Sequence, residues 1–203
     1  PEIMEDCLKR IGIAFLFAPA LHPAMKHAIG PRREIGIRTI FNILGPLSNP
    51  AGARYGVLGV YHRDLTVVLA QAAASLSAKH LFVVHGLDGL DEITTTQASQ
   101  ISEVKEGTVR TYEIHPRDFG LLVVAASDLT GGQPTENAEF VRAVLSGKKG
   151  PHRDIVLLNS AAAIVAGQKA PDLKAGIAVA AESIDSGAAM RKLEQLIEST
   201  NRQ

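Results

Sequence analysis

A strand, a helix and a second strand follow one another between residues 55 and 84, and this order constrains the fold more than any other feature. Residues 55–61 read YGVLGVY, residues 65–76 are apolar and rich in alanine, and residues 81–84 read LFVV. Two short β-type runs joined by a helix form a βαβ unit with parallel strands. A parallel sheet is covered by helices on both faces. The sequence therefore predicts an α/β fold with a mostly parallel sheet flanked by helices.

The remaining segments predict one hairpin and several helices. Residues 101–114 alternate polar and apolar side chains around Glu106 and Gly107, a pattern typical of an antiparallel hairpin. The short apolar run at 11–17 predicts a buried strand. Helices are predicted at 2–10, from about 134 to 145, at 154–166, from 172 to about 184, and from 186 to about 198.

Three acidic side chains, Asp88, Asp91 and Glu92, directly follow the second predicted strand. Open α/β sheets place ligands beyond the carboxyl ends of their strands. Carboxylates there could hold Mg²⁺, which takes one or two of them together with waters and phosphate oxygens. A solvated acidic turn is the alternative. The spacing does not match a calcium-binding EF-hand loop.

A cationic run lies upstream, at residues 22–50, and reads HPAMKHAIGPRREIGIRTIFNILGPLSNP with Glu34 as its single acid. Its basic residues alternate with small and apolar ones, which predicts a pocket for a small anion. A guanidinium makes two parallel hydrogen bonds to a carboxylate or phosphate. The pattern does not distinguish Arg32, Arg33 and Arg38 as ligands, and a surface role remains open for each.

Composition narrows the function further. Lysine and arginine number 21, as do aspartate and glutamate, and this balance argues against a dedicated nucleic-acid binder. The single cysteine, Cys7, excludes an internal disulfide and a multi-cysteine zinc site, which fits a reducing cytosol. Phosphate-loop, dinucleotide-binding, zinc-protease and nucleophile-elbow motifs are absent from the sequence. Because the chain begins at Pro1 without a methionine, we treat it as a piece of a longer protein.

Three motifs resemble those of the anthranilate phosphoribosyltransferases. Residues 15–50 are similar to the central signature of that family, and GIRTIFNILGPL at 36–47 is the most specific part. Residues 88–92 match the family's acidic loop, and TGGQPTENA at 130–138 resembles a late Gly-Gly element. The resemblance covers essentially the whole chain in the family's order. It implies a nucleoside phosphorylase/phosphoribosyltransferase-like architecture. Residues 1–21 would enter the α/β domain, and residues 51–203 would form it. Residues 22–50 would form a helical substrate-binding segment that belongs to a small helical domain.

The resemblance also implies the site residues. Arg32 matches the arginine that binds the anthranilate carboxylate. Asp91 and Glu92 match the acidic pair that binds Mg²⁺, which leaves Asp88 outside the pair. The positions that match the lining of the anthranilate channel are His22, Met25 and Pro46.

The implied reaction transfers the phosphoribosyl group of phosphoribosyl pyrophosphate to anthranilate, giving N-(5-phosphoribosyl)anthranilate and pyrophosphate in tryptophan biosynthesis. No catalytic nucleophile is expected, because the amino nitrogen of anthranilate attacks directly. The resemblance further implies a cytoplasmic homodimer that binds neither nucleic acid nor membrane. Full-length relatives also carry a Gly-Thr-Gly-Gly-Asp loop and a Lys-His-Gly-Asn segment, which this sequence lacks. We therefore expect the 203 residues alone to be inactive.

Two alternatives remain at this level. A pyrimidine nucleoside phosphorylase would share the HPAMK-like segment but not the RTIFNILGPL block. A non-catalytic paralogue that binds nucleic acid would be expected to lose Arg32 or the Asp91–Glu92 pair and to gain a basic face. The chain retains these residues and carries no net charge, so the transferase is favoured.

Overall fold

The structure is a computed structural model that describes residues 2–16, 47 and 52–201. The chain divides into two compact units, Ala53–Ala188 and a second that joins Pro1–Gly52 to Ala189–Gln203. The domain limits expected from the sequence remain a prediction, since residues 22–46 lie outside the described part.

Six α-helices are present among the described elements. Their bounds are α1 (Glu2–Ile11), α2 (Leu65–Ser75), α3 (Pro134–Leu145), α4 (Pro151–Ala166), α5 (Leu173–Asp185) and α6 (Ala188–Asn201). Short 3₁₀ turns occupy Pro116–Phe119 and Ala126–Leu129. The six helices expected from the sequence in the described part are confirmed, with ends shifted by up to three residues. In the described part of the chain, no helix has the length and apolarity needed to cross a bilayer.

The unit Ala53–Ala188 is built on a four-stranded sheet. Its strands lie side by side in chain order: β1 (Tyr55–Gly59), β2 (His80–Gly86), β3 (Ser99–Lys105) and β4 (Thr108–Ile114). β1 and β2 are parallel and joined through α2, which confirms the predicted βαβ unit. β3 and β4 form the predicted antiparallel hairpin, with Glu106 and Gly107 at positive φ in its turn.

The α/β class is confirmed, but the described sheet is mixed. β3 runs antiparallel to β2, so one of the three strand pairings is parallel and two are antiparallel. A parallel return after β2 would need a crossover connection, usually a helix. The segment between β2 and β3 contains no helix and carries the acidic loop instead. The expectation of a mostly parallel sheet therefore does not hold for these four strands.

Helices cover both faces of the sheet. On one face, α4 contributes Leu158, Ala161 and Ala162 to a core that also holds Phe82 and Ile101. On the other, α2 packs with Leu69, Ala70 and Ala73 buried. Thr66 of α2 is also buried, and its Oγ1 accepts a 2.6 Å hydrogen bond from Nε2 of Gln100. The central strand β2 is consequently buried along almost its whole length.

Glycine ends the first helix where the sequence predicts a strand. Gly12 adopts φ +77°, and its N–H donates to the carbonyl of Cys7 at 3.1 Å. A left-handed glycine after the last turn is a common helix terminator. Residues 13–16 then belong to no regular element. The strand predicted at 11–17 is wrong for its described residues because Ile11 completes α1.

Candidate metal and substrate site

The structure describes one of the two parts of the predicted site. Asp91 and Glu92 lie beyond the carboxyl end of β2, as expected. The four residues assigned to anthranilate lie outside the described residues, and their roles remain predictions; they are His22, Met25, Arg32 and Pro46.

Asp88 closes the acidic loop on itself. Its carboxylate accepts hydrogen bonds from the Leu90 N–H at 3.1 Å, from the Thr94 hydroxyl at 2.6 Å and from the Thr96 hydroxyl. Burial of the carboxyl group opposes ionisation, but these hydrogen bonds more than offset it, and the pKa of Asp88 lies below its ordinary value. Asp88 is thus committed to the architecture of the loop.

Two glycines allow the loop to lie directly against the ends of the strands. A Cβ atom at Gly59, the last residue of β1, would overlap the carbonyl oxygen of Asp91. A Cβ at Gly86, the last residue of β2, would lie 2.5 Å from Oδ1 of Asp88 and 3.1 Å from the side chain of Thr94. A larger residue at either position would displace the acidic loop.

Asn159 of α4 holds the other end of the loop. Its Oδ1 accepts from the N–H of Ile93 at 2.9 Å, and its Nδ2 donates to the carbonyl of Ile93 at 2.8 Å. The same Nδ2 donates to the carbonyl of Ile155, one turn earlier in the helix, at 3.0 Å. The N–H and the carbonyl of Ile93, the residue after Glu92, are therefore both paired with the side-chain amide of Asn159.

Two carboxylates in the loop are left available. Within the described part of the chain, no hydrogen bond or ion pair involves the side chains of Asp91 and Glu92, and both residues are exposed. Partial burial of its carboxyl group, followed by the charge of neighbouring Asp91, raises the pKa of Glu92. A bound cation would relieve both effects, since it replaces lost hydration and neutralises like charge.

The residues present fit a magnesium ion better than a transition metal. No group of three or more His, Cys, Asp and Glu side chains converges among the described residues, so no closed protein cage is formed there. Magnesium is commonly held by one or two carboxylates, with waters and substrate phosphates completing its shell. Asp91 and Glu92 supply such a pair, whereas the oxygens of Asp88 are already occupied.

The late Gly-Gly element forms a helix entry. The side-chain oxygen of Asn137 accepts from the N–H of Gly132 at 2.8 Å, and Nδ2 of Asn137 donates to the Gly132 carbonyl at 3.0 Å. Glu136 accepts from the N–H of Gln133 at 2.7 Å. These bonds occupy backbone groups that a phosphate-binding loop would present to its ligand, so the turn serves to begin α3.

Sequence reasoning missed the residues that hold the loop. Asn159 carries one visible signal, because it is the single asparagine in the apolar stretch IVLLNSAAAIVA of α4. A polar side chain inside an otherwise apolar helix indicates a specific partner. Nothing local indicated that the partner would be Ile93, 66 positions away.

The described fold is an α/β sheet with Asp91 and Glu92 beyond its strand ends, the edge at which open α/β sheets place their ligands. The match to a family model is more specific. The chain belongs to the glycosyl transferase family, a/b domain, whose model matches residues 1–190.

Individual relatives agree with this family. An anthranilate phosphoribosyltransferase from Citrifermentans bemidjiense is 57% identical over 201 residues, which cover 99% of this chain and 57% of the relative. The crystal structure of anthranilate phosphoribosyltransferase from Thermus thermophilus is 40% identical, with a TM-score of 0.90, over 98% of this chain and 59% of that one. The Saccharomyces cerevisiae enzyme in complex with PRPP and Mg is 33% identical, with a TM-score of 0.91, over 100% and 58%.

These comparisons confirm the resemblance to anthranilate phosphoribosyltransferase. The chain spans somewhat more than half of the length of the relatives that it matches.

Proposed function

We propose that the protein containing this chain is an anthranilate phosphoribosyltransferase. It transfers the phosphoribosyl group of phosphoribosyl pyrophosphate to the amino nitrogen of anthranilate, in tryptophan biosynthesis, with Mg²⁺ as cofactor. The observation that carries the proposal is the acidic loop. The side chains of Asp91 and Glu92 make no hydrogen bond or ion pair with the described residues, and three separate anchors hold the two residues beyond the strand ends. The proposal extends to a cytoplasmic homodimer that binds no nucleic acid.

In the proposed reaction, the residues of the acidic loop bind the cation and orient it. Asp91 and Glu92 would hold Mg²⁺, which neutralises charge on the leaving pyrophosphate when it is bound. The anchors keep these two carboxylates fixed, so little reorganisation is needed as the substrate binds. Arg32 would clamp the carboxylate of anthranilate through two parallel hydrogen bonds, and His22, Met25 and Pro46 would line its channel.

The cation role is tested in the intact protein. Asp91→Asn combined with Glu92→Gln removes both charges while nearly preserving shape. We expect weaker dependence on Mg²⁺ and a turnover lower by at least about 10-fold, because transition-state charge loses its stabilisation. Steady-state rates measured across a Mg²⁺ titration give both quantities. A metal titration identical to that of the wild type would reject the role of the pair.

The anthranilate role is tested by a matched pair of arginines. Arg32→Ala is expected to raise the KM for anthranilate by about 10-fold or more, because a buried carboxylate loses its charged partner. Arg33→Ala is the control, with the same charge removed at the next position and an unchanged KM. The reverse result would shift the assignment from Arg32 to Arg33.

The same purified protein also serves to test the two alternative functions. A nucleoside phosphorylase would release base from a pyrimidine nucleoside in the presence of phosphate, and a nucleic-acid-binding paralogue would bind DNA in a salt-sensitive way without transferase activity. The 57% identity to a named anthranilate phosphoribosyltransferase supports the transferase. We expect the 203-residue chain alone to show no transfer, and measurable product with Mg²⁺ and both substrates would contradict that expectation.

A further inference from the structure

We propose that Asn159 is a positioning residue for the Asp91–Glu92 pair. Its carboxamide fixes the backbone of Ile93 and, through it, the direction in which the two preceding carboxylates point. The proposal rests on the metal role proposed above and adds a residue on a distant helix to the machinery that holds the cation.

The carboxamide of Asn159 pairs with both backbone polar groups of Ile93, as a neighbouring peptide group would. Oδ1 of Asn159 accepts from the Ile93 N–H at 2.9 Å while Nδ2 donates to the Ile93 carbonyl at 2.8 Å. Two bonds of opposite polarity to one residue restrict both its position and its rotation about the chain axis. A third bond, from Nδ2 to the Ile155 carbonyl at 3.0 Å, fixes the carboxamide to its own helix.

The helix that presents Asn159 is itself held firmly. Leu158, Ala161 and Ala162 are fully buried and belong to the main core, and Ile93 is fully buried in the same cluster. Close packing of this kind resists small shifts. Asn159 therefore fixes Ile93, the residue after Glu92, relative to a helix that is tightly packed in the core.

The loop is restrained from both sides of the acidic pair. Asp88 holds Leu90 before the pair and Thr94 after it, and Asn159 holds Ile93 directly after Glu92. Neither Asp91 nor Glu92 has a side-chain hydrogen bond of its own within the described residues. Their directions are thus set by the backbone, and the peptide after Glu92 depends on Asn159.

A purely structural role for Asn159 makes a different prediction. Loss of its carboxamide would leave two buried backbone groups of Ile93 unpaired and would destabilise the fold in either case. Only a positioning role would also change cation affinity in protein that remains folded. For metal-binding proteins, removal of a group that orients the ligands typically lowers metal affinity or activity by about 10- to 100-fold.

The experiment uses the intact protein and Mn²⁺ as the probe. Free Mn²⁺ is measured by electron paramagnetic resonance in the presence of phosphoribosyl pyrophosphate, for the wild type, Asn159→Ala and Val165→Ala. Val165 lies on the same helix and in the same core, but its apolar side chain cannot hydrogen-bond to the loop, so it controls for destabilisation. We expect Asn159→Ala to weaken Mn²⁺ binding by about 10-fold or more. Val165→Ala should remain within about twofold, and the KM for anthranilate at saturating Mg²⁺ should be unchanged in both.

Asn159→Gln keeps the amide but moves it by one methylene, and it replaces the alanine variant if that variant does not fold. Wild-type Mn²⁺ affinity in every folded Asn159 variant, or equal weakening in Val165→Ala, would overturn the proposal. If the wild type binds Mn²⁺ and the Asn159 variants bind it more weakly, but no transfer to anthranilate occurs, the positioning role stands and the proposed reaction fails. If transfer depends on Mg²⁺ and the Asn159 variants bind Mn²⁺ as the wild type does, the reaction stands and the positioning role fails.

Discussion

At the scale of single residues, the position of the acidic loop depends on Gly59, which has no Cβ atom. A Cβ at Gly59 would overlap the carbonyl oxygen of Asp91, which is backbone and cannot move without the loop. We expect Gly59→Ala to lower the free energy of unfolding by about 1–3 kcal/mol, the usual cost of overpacking. It should also weaken Mg²⁺ dependence, because the displaced loop carries Asp91. Denaturant unfolding and a Mg²⁺ titration of the intact protein measure the two effects.

The same strand offers a matched control. A Cβ at Gly56 would lie 3.5 Å from Cδ1 of Leu81, an ordinary contact with a side chain that can adjust. Gly56→Ala should therefore leave Mg²⁺ dependence unchanged and be neutral or stabilising, because glycine weakens the interior of a strand. Equal effects of the two substitutions on Mg²⁺ dependence would mean that the contact between Gly59 and Asp91 does not set the loop.

At the scale of elements, α4 and α5 approach closely at one glycine. A Cβ at Gly176 of α5 would lie 2.9 Å from the carbonyl oxygen of Ala161 and 3.0 Å from its Cα. Helix propensity alone favours alanine over glycine by about 1 kcal/mol. We expect Gly176→Ala nevertheless to be destabilising, by about 1–2 kcal/mol net, because overpacking against backbone outweighs that gain. Thermal or urea unfolding measures the difference.

A control on the same helix separates packing from propensity. Val179 of α5 is 39% exposed. Val179→Ala should change stability by no more than about 0.5 kcal/mol, as exposed substitutions usually do. A Gly176→Ala variant that is more stable than the wild type would show that the two helices can separate to admit a methyl group.

The spacing of apolar residues and the positions of glycines were sufficient to predict most of these helices and strands. The strand β2, the hairpin of β3 and β4 and the helices α3 to α6 follow from local pattern, and the acidic loop follows from its place after a strand. Local pattern failed where a glycine could either begin a strand or end a helix, as at Gly12. It also could not show that Asn159 binds Ile93 or that Gly59 touches Asp91, because these pairs are distant in sequence and meet only when the sheet and α4 are assembled.

At the scale of the whole molecule, the anchors of the acidic loop all belong to one compact unit. Asp88, Gly59 and Asn159 lie within Ala53–Ala188, as does the core on which α4 rests. The sheet of this unit is covered by α2 on one face and by α4 on the other. Among the described residues, the named anchors of the acidic loop therefore all come from this unit.

We accordingly expect residues 53–188 expressed alone to fold cooperatively and to retain the ordered loop. The Ile93 N–H donates to Asn159, and the Thr94 N–H donates to Oγ of Ser99 at 2.9 Å. Both amides should exchange slowly with deuterium, at rates close to those of the β2 amides, because these bonds open only when the packed core opens. Hydrogen exchange followed by NMR tests this expectation, and Asn159→Ala in the same fragment should speed exchange at Ile93 more than at β2. Rapid exchange at Ile93 and Thr94 in an otherwise folded fragment would show that the loop takes its order from the rest of the protein, and the anchors described here would then be insufficient to position the carboxylates.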